Sequence, residues 1–230
     1  MTSEAPGMRV RYGRINRELI GAWARMGSDE GDPFWALNLM KYRAVADYGD
    51  GAAGAKSGRE ADDEYTPRGP LAAVGAQIVF AADVERTLAG DDVAWDRVGI
   101  VRYPTRKKFL EMQQRDDFKS QHVHKDAGME FTIVMSCLPR PPFVAPPAQL
   151  PFVELRVSAD EPAAGDAAIF DVEGVIVGDE RVWRTASFRW LAAPPPPAVA
   201  RSTSSEYMLL LRPSIDRLAA SVDDAARRLP

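Results

Sequence analysis

The chain has 230 residues, of which 46% are hydrophobic and 27% charged, a balance that is normal for a globular protein with a substantial core. Its net charge is -4 and its acidic and basic residues are mixed along the chain, so nucleic acid is not an expected partner. No stretch approaches the roughly 18 apolar residues of a membrane span, and the first residues lack the apolar core of a signal peptide. We therefore expect a cytoplasmic protein with no membrane partner.

The first predicted elements are a helix and a strand. Residues 14–26 carry apolar side chains at helical spacing with charged residues between them, which predicts an amphipathic helix. A turn ending at Pro33 leads into residues 34–43, a strong strand candidate. Residues 1–31 are therefore predicted to form an N-terminal helical extension.

The next segment predicts one α+β unit. Residues 44–64 are rich in Gly, Ala, Asp and Glu and predict a long loop, for which a lid over a site and a disordered insert both remain open. The elements predicted after it are a short helix within 65–76, strands at 77–87 and 95–103, a helix capped by Thr105 and running to about Arg115, a helical turn at 117–123 ended by Gly128, and a strand at 129–138. Together they give the order strand, helix, strand, strand, helix, strand, so residues 32–138 predict a ferredoxin-like domain.

The remaining chain predicts a second unit after a stiff linker. Repeated prolines mark residues 139–151 as the linker. The elements predicted beyond it are a strand at 152–157, a hairpin of 169–177 and 181–191, a strand at 207–212 and a helix at 214–229. Leu211-Arg212-Pro213-Ser214 repeats the pattern of Arg102-Tyr103-Pro104-Thr105, in which an apolar strand ends at a proline before a capping hydroxyl. The repeat favours a divergent second ferredoxin-like unit over residues 152–230, although strand, proline and cap are also common on their own.

Several short motifs occur in a characteristic order. They are Asn38-Leu39-Met40-Lys41-Tyr42, Ser57-Gly58-Arg59-Glu60, Trp95-Asp96, Arg102-Tyr103-Pro104-Thr105 and the stretch from His124 to Glu130. In these motifs the sequence resembles the domain-of-unknown-function family 1330 of the dimeric α+β barrel superfamily, over about residues 32–138. It departs from that family at Lys125, where Arg is usual, and at Met129, where Leu is usual.

The resemblance implies an α+β barrel of two ferredoxin-like units with antiparallel sheets. Family units of about 100 residues pair as homodimers, so the resemblance implies either a homodimer or an intramolecular pseudo-dimer completed by residues 152–230. It implies no single chemistry, because the superfamily includes cyclases, monooxygenases, dehalogenases, haem proteins and plain binding proteins.

Strand alternation divides the sheet residues into two faces. The wholly apolar face is assigned to the helices: Trp35, Leu37 and Leu39. The mixed face is assigned to the central cavity of the barrel: Asn38, Met40, Tyr42, Trp95, Arg97, Gly99 and Tyr103. On this assignment Asn38, Met40, Tyr42, Trp95 and Tyr103 are candidate substrate-binding residues, with Gly99 making room for a ligand.

Two charged or titratable residues are the catalytic candidates. Arg97 could stabilise an anion in the cavity, or it could pair with Asp96 or Asp83 at the sheet end. His124 occupies the family's motif position and is the candidate acid or base, although it could also do no more than end a helix. His122 is expected on a solvated turn. Two histidines supply too few ligands for zinc, so no metal is predicted.

The sequence also limits the kinds of reaction and cofactor that are expected. Cys137, the only cysteine, lies in an apolar run and is expected to be a buried, unreactive thiol. No phosphate-binding glycine loop, nucleophile elbow or cysteine cluster is present, so no cofactor is predicted. The leading hypothesis is a cofactor-independent enzyme of the cyclase, isomerase or monooxygenase type, acting on a small, apolar, carbonyl- or phenol-bearing metabolite. A non-catalytic small-molecule binding protein and a haem-binding protein are the alternatives.

Overall fold

The computed structural model describes residues 10–27, 32–49, 56–65, 67–145, 150–162 and 168–227. The elements up to residue 139 are strands β1 Arg14–Ile15, β2 Phe34–Tyr42, β3 Gln77–Gly90, β4 Arg97–Tyr103 and β5 Met129–Pro139, with helices α1 Arg17–Ala24, α2 Gly58–Glu64, α3 Arg68–Ala73, α4 Arg106–Gln114 and α5 Asp116–Gly128. The later elements are β6 Phe152–Ser158, β7 Ala168–Gly178, β8 Thr185–Leu191, β9 Arg201–Ser202, β10 Glu206–Asp216 and helix α6 Leu218–Ala226. None of the helices in the described ranges is long and apolar enough to span a membrane.

Eight strands close an antiparallel barrel. Their order is β7-β5-β2-β4-β3-β10-β6-β8, and β8 pairs back with β7 to complete the ring. Strands from both halves of the chain therefore belong to one sheet, which confirms the predicted α+β barrel. The register between β2 and its neighbours places Asn38 opposite Gly99 of β4 on one side and Val134 of β5 on the other.

The barrel interior is a continuous apolar core. All eight strands contribute to it, with side chains that include Trp35, Leu37, Leu39, Ile100, Ile133, Met135, Leu155, Val157, Phe170, Phe188, Leu209 and Leu211. Helix α6 adds its apolar residues to the same core, and the indole Nε1 of Trp35 donates a hydrogen bond to the Ser221 hydroxyl at 2.8 Å. The interior thus consists of packed side chains, as in other barrels of this size, and the predicted central cavity is not found among the described residues.

The predicted assignment of strand faces is therefore wrong. Trp35, Leu37 and Leu39 point into the barrel, whereas Asn38 and Met40 lie on the outer face, beneath the helices. Alternation could separate the two sets but could not orient them, because almost every residue of β2 is buried. The wholly apolar set lies inside because a polar group buried in the closed interior would lose its hydrogen bonds to water.

Helix α2 corrects the predicted loop at residues 44–64. The helix begins with a capping box, in which the Ser57 hydroxyl accepts from the Glu60 amide and the Glu60 carboxylate accepts from the Ser57 amide. Residues 50–55 of the predicted loop lie outside the described ranges. The rest of the segment packs against α5.

The second half differs most from its prediction. Pro213 and Ser214 do not end a strand, because β10 continues to Asp216 and Pro213 pairs with Ala82 next to a register irregularity. Helix α6 begins only at Leu218. A proline is tolerated here because the ladder with β6 already ends at Leu211, so its missing amide costs no hydrogen bond on that side.

Candidate functional site

A cavity of about 350 Å³ lies between the outer face of the sheet and the helices of the first half. Its volume falls in the range of small-molecule sites. The apolar part of the wall includes Ala36, Met40, Leu71, Phe109, Met112, Phe118, Val134 and Ile176. The polar groups that reach it include Tyr12, Asn38, Asp62, Tyr65, Arg97, His122 and Lys125. This wall, mostly apolar with a few grouped polar side chains, is typical of a site for a small organic molecule.

Glycine 99 helps to make the floor of the cavity. It faces Asn38 across the β2–β4 ladder and lines this cavity on the outer face of the sheet, not the barrel interior predicted for it. A Cβ at this position would lie 3.3 Å from Cε of Met40. A larger residue would therefore push Met40 aside and reduce the space above the sheet.

The amide of Asn38 serves both the sheet and the cavity. Its Nδ2 donates to the Ala36 carbonyl at 2.9 Å and, at 3.4 Å, to the Gly99 carbonyl. No donor among the described residues reaches Oδ1, which is the half of the amide left for a ligand. One side chain can therefore play both predicted roles, with Nδ2 bonded to the sheet and Oδ1 facing a ligand.

Tyr12 and His122 form a hydrogen-bonded pair in the cavity wall. The Tyr12 hydroxyl lies 3.0 Å from Nε2 of His122, and Nδ1 of that imidazole is buried without a partner among the described residues. Burial, reinforced by the positive charge of Lys125, lowers the pKa of His122 to about 4. Burial raises the pKa of Tyr12. At neutral pH both groups are therefore uncharged, and the phenol donates to Nε2 in the tautomer whose ring proton is on Nδ1.

Lys125 lies one helical turn from His122 on the same face of α5. Its ammonium nitrogen is 5.7 Å from the centroid of the Tyr12 ring and 5.5 Å from that of Tyr65. Burial lowers the pKa of this lysine, and the negative charge of Asp62 opposes the shift. The aromatic faces offset part of the cost of desolvation, because a ring face attracts a cation.

A polar cluster at the edge of the cavity joins β2, α2 and β4. The Tyr42 hydroxyl donates to the Asp62 carboxylate at 2.6 Å, and Arg97 lies 5.7 Å from the Tyr42 ring centroid. The Arg97 guanidinium contacts Asp63 at 2.8 Å and Asp62 at 3.5 Å, and it lies 3.6 Å from Asp83. The predicted pairing with Asp83 is thus present at the outer limit of an ion pair, and the two α2 carboxylates hold the same guanidinium.

The structure brings together some predicted site residues and separates others. Asn38, Met40, Arg97 and Tyr103 line the cavity, and Tyr42 reaches it through Asp62. Trp95 does not, because its ring packs in the barrel core against Phe131 and Tyr207.

His124 lies outside the cavity, contrary to the prediction. Its Nδ1 is 3.0 Å from the Tyr48 hydroxyl and 3.5 Å from the Glu64 carboxylate, near the surface. The predicted solvated position of His122 is likewise wrong, because that ring is half-buried in the cavity wall. Residues two apart on a helix face in nearly opposite directions, so only one of these histidines can face the sheet.

The comparisons with known proteins identify similar structures without a described activity. No family model and no curated protein matches the chain. The chain is similar to the RPA0582 protein of unknown function from Rhodopseudomonas palustris, with a TM-score of 0.50 and 25% identity over 57% of this chain and 98% of that one. A structure of methylated RPA0582 protein gives a TM-score of 0.49 and 28% identity over 56% of this chain and 97% of that one. Nearly the whole of the smaller protein thus corresponds to little more than half of this one.

Sequence reasoning missed Tyr12, His122 and Lys125. The helical spacing of Phe118, His122 and Lys125 is the signal that could have found the last two, because steps of four and three residues keep side chains on one face. That signal requires a continuous helix, which α5 is, from Asp116 to Gly128. Tyr12 gives no comparable signal, since it precedes the two-residue strand β1 and reaches the site through tertiary packing alone.

Proposed function

We propose that the chain is a cofactor-independent enzyme acting on a small, largely apolar, carbonyl- or phenol-bearing metabolite. The observation that carries the proposal is the Tyr12–His122 hydrogen bond in the wall of an otherwise apolar cavity. A neutral imidazole beside a phenol can move a proton to or from a bound molecule without a metal or an organic cofactor. Proton transfer of this kind underlies isomerisation and ring closure.

The proton would move through the phenol. The Tyr12 hydroxyl takes a proton from carbon or oxygen of the substrate while its own proton passes to Nε2 of His122. The products of this step are the substrate anion and an imidazolium, and reversal at another atom of the substrate completes an isomerisation. Asn38 would orient the substrate through Oδ1, and the acid/base role predicted for His124 belongs in this proposal to His122.

A non-catalytic binding protein is the second candidate. The low pKa of His122, about 4, favours it, because an imidazole that holds a proton so weakly is a poor base at neutral pH. The same cavity would then serve a carrier or a sensor, and Tyr12 and His122 would be hydrogen-bonding groups only.

We further propose that residues 32–138 belong to the family 1330 that their motifs resemble, and that the barrel is a tandem of two ferredoxin-like units. The strand order supports the tandem: β5-β2-β4-β3 and β7-β8-β6-β10, numbered within each half, both read 4-1-3-2 or its reverse. Antiparallel pairing of all eight barrel strands and the half-length match to RPA0582 are consistent with this arrangement. In the described residues the second half has no helix between β6 and β7, and a loop with β9 connects β8 to β10.

An isotope-exchange assay tests the catalytic proposal without knowledge of the substrate. The enzyme is incubated in D₂O with 2-tetralone, and loss of the α-hydrogen signals is followed by NMR against the uncatalysed rate. Tyr12→Phe and His122→Gln should each reduce the enzymatic rate by about 100-fold or more. The matched control His124→Gln should leave it within a few-fold. If no exchange above background occurs across a panel of aryl ketones, or if His122→Gln exchanges as fast as the wild type, the binding protein becomes the better explanation.

A further inference from the structure

The ammonium group of Lys125 is the feature of the cavity that the proton-transfer proposal does not use. It lines the cavity, and among the described residues no carboxylate forms an ion pair with it and no acceptor hydrogen-bonds to its Nζ. Its described neighbours are the faces of Tyr12 and Tyr65. Lys125 is partly buried, and a cation with reduced access to water is stabilised by an anion placed beside it.

The carboxylates at the cavity are already paired, and Arg68, which also lines it, is exposed to water. Asp62 accepts from Tyr42 and contacts Arg97, and Arg97 in turn contacts Asp63. None of these carboxylates lies within ion-pair distance of Lys125, although Asp62 is near enough to act on it electrostatically. The Lys125 ammonium thus lies in the cavity without an ion-pair partner among the described residues, although Asp62 and Asp63 line the same cavity.

We propose that the ligand of this cavity carries a carboxylate, and that Lys125 recognises it by forming an ion pair. The inference rests on the proposed small-molecule site and names its substrate class: a small aryl or alkenyl carboxylic acid. The Lys125 ammonium matches the single negative charge of a carboxylate, and Asp62 and Asp63, which also line the cavity, would repel a dianion such as a phosphate monoester more strongly than a monoanion. The apolar body of the acid would lie against Met40, Phe109 and Met112.

The ion pair would also act on the proton-transfer pair. Lys125 lies three residues from His122 on one helix face, and its positive charge is one of the causes that lower the pKa of His122. A bound carboxylate would neutralise that charge and so raise the pKa of the imidazole. Asp126, whose charge already raises this pKa, the Tyr12 hydroxyl and the Tyr65 ring are the other titratable groups near the imidazole. The correct ligand would thereby make His122 a better base than it is in the empty cavity.

A pair of matched probes tests the charge of the ligand. Binding of 2-naphthoate and of its neutral amide, 2-naphthamide, is measured by titration calorimetry at pH 7 on the wild type. Binding is then compared in Lys125→Met, which keeps the length of the side chain without its charge, and in Lys125→Arg, which keeps the charge. Lys119→Met is the control, since Lys119 lies on the same helix but is exposed and close to Asp116.

The expected result is that the wild type and Lys119→Met bind the acid at least 10-fold more tightly than the amide. Lys125→Met should lose this preference, and Lys125→Arg should retain most of it. Equal binding of acid and amide by the wild type, a preference that survives in Lys125→Met, or no binding of the acid at millimolar concentration would each overturn the proposal. So would reductive trapping of 2-naphthaldehyde on Lys125 by borohydride with no preference for the acid, because the lysine would then be a nucleophilic amine.

The assay separates this inference from the enzymatic proposal. It measures equilibrium binding only, so a retained preference for the acid together with absent proton exchange would refute the enzyme and leave the carboxylate site. Proton exchange with no preference for the acid would support the enzyme and refute the carboxylate site.

Discussion

Gly58 and Gly128 lie in direct contact where α2 meets the end of α5. A Cβ on Gly58 would lie 2.2 Å from the Gly128 carbonyl oxygen, and a Cβ on Gly128 would lie 2.3 Å from the Gly58 carbonyl oxygen. Two backbones at this separation exclude any side chain between them. The contact fixes α2, which carries Asp62, against α5, which carries His122 and Lys125.

Substitution at this contact should therefore loosen the cavity wall. Gly128→Ala is expected to lower the free energy of unfolding by about 1–3 kcal/mol or more, because neither backbone can give way without separating the helices. Urea unfolding followed by circular dichroism measures the change. Gly69→Ala is the control, since nothing lies within 4 Å of its added Cβ and α3 should gain helix propensity. Equal stability of the two variants would show that the helices can part freely.

Truncation of two neighbouring residues of β2 should reduce the stability of the protein by very different amounts. Leu37 is 1% exposed and belongs to the barrel core, so Leu37→Ala is expected to cost about 2–5 kcal/mol of stability. Asn38→Ala should cost about 1 kcal/mol at most, because its amide faces the cavity and the hydrogen bonds it loses are to carbonyls of the sheet. The same variant should weaken 2-naphthoate binding. A larger loss of stability at Asn38 than at Leu37 would contradict the orientation of this strand.

Acid should destabilise the protein through His122. The pKa of this residue is about 4 in the folded protein and about 6.5 in an unfolded chain, so on acidification the unfolded state takes up the proton first. Stability is then lost as pH falls from about 6.5 to 4, by up to about 3 kcal/mol from this residue. Unfolding curves at pH 7, 5.5 and 4.5 should show a smaller loss in His122→Gln than in the wild type.

Lys125 should reduce the stability of the empty protein. Its pKa is lowered on folding because burial disfavours the charged form, so the folded state binds this proton less tightly than the unfolded chain does. Lys125→Met is therefore expected to unfold at a higher temperature than the wild type at pH 7. The difference should shrink as pH rises toward 10.5, where the unfolded chain also loses the proton. A lower melting temperature for Lys125→Met would mean that the ammonium already has a stabilising partner.

Much of the barrel could be predicted from the sequence because its signals are local. Thr105 caps α4 through its side chain, as predicted, and the predicted strand begins at Phe34, directly after Pro33. The capping box at Ser57 was equally readable, yet the polar composition around it predicted a loop. The start of the helix is set by local hydrogen bonds, whereas composition reports only the average polarity of the segment.

The site could be predicted only in part, because its geometry depends on which face of each element is turned inward. The pattern of β2 separates Leu37 from Asn38 but leaves open which of them lies inside the barrel, since both sides of the sheet are covered. An error of two residues in judging which face of α5 is turned toward the sheet is enough to select His124 instead of His122. To predict Tyr12 as a site residue, one would need the tertiary path of a segment that has almost no regular secondary structure.

The unequal halves of the barrel set its binding stoichiometry. A ring closed by two identical subunits would carry a helix-covered cavity on each, whereas here the described part of the second half lacks crossover helices over its strands. The C-terminal half completes the cylinder and supplies Ile176 and Val177 to the cavity of the first. The site between sheet and helices is therefore expected to saturate at a single equivalent of ligand per polypeptide, with no second, symmetry-related occupant to produce cooperativity.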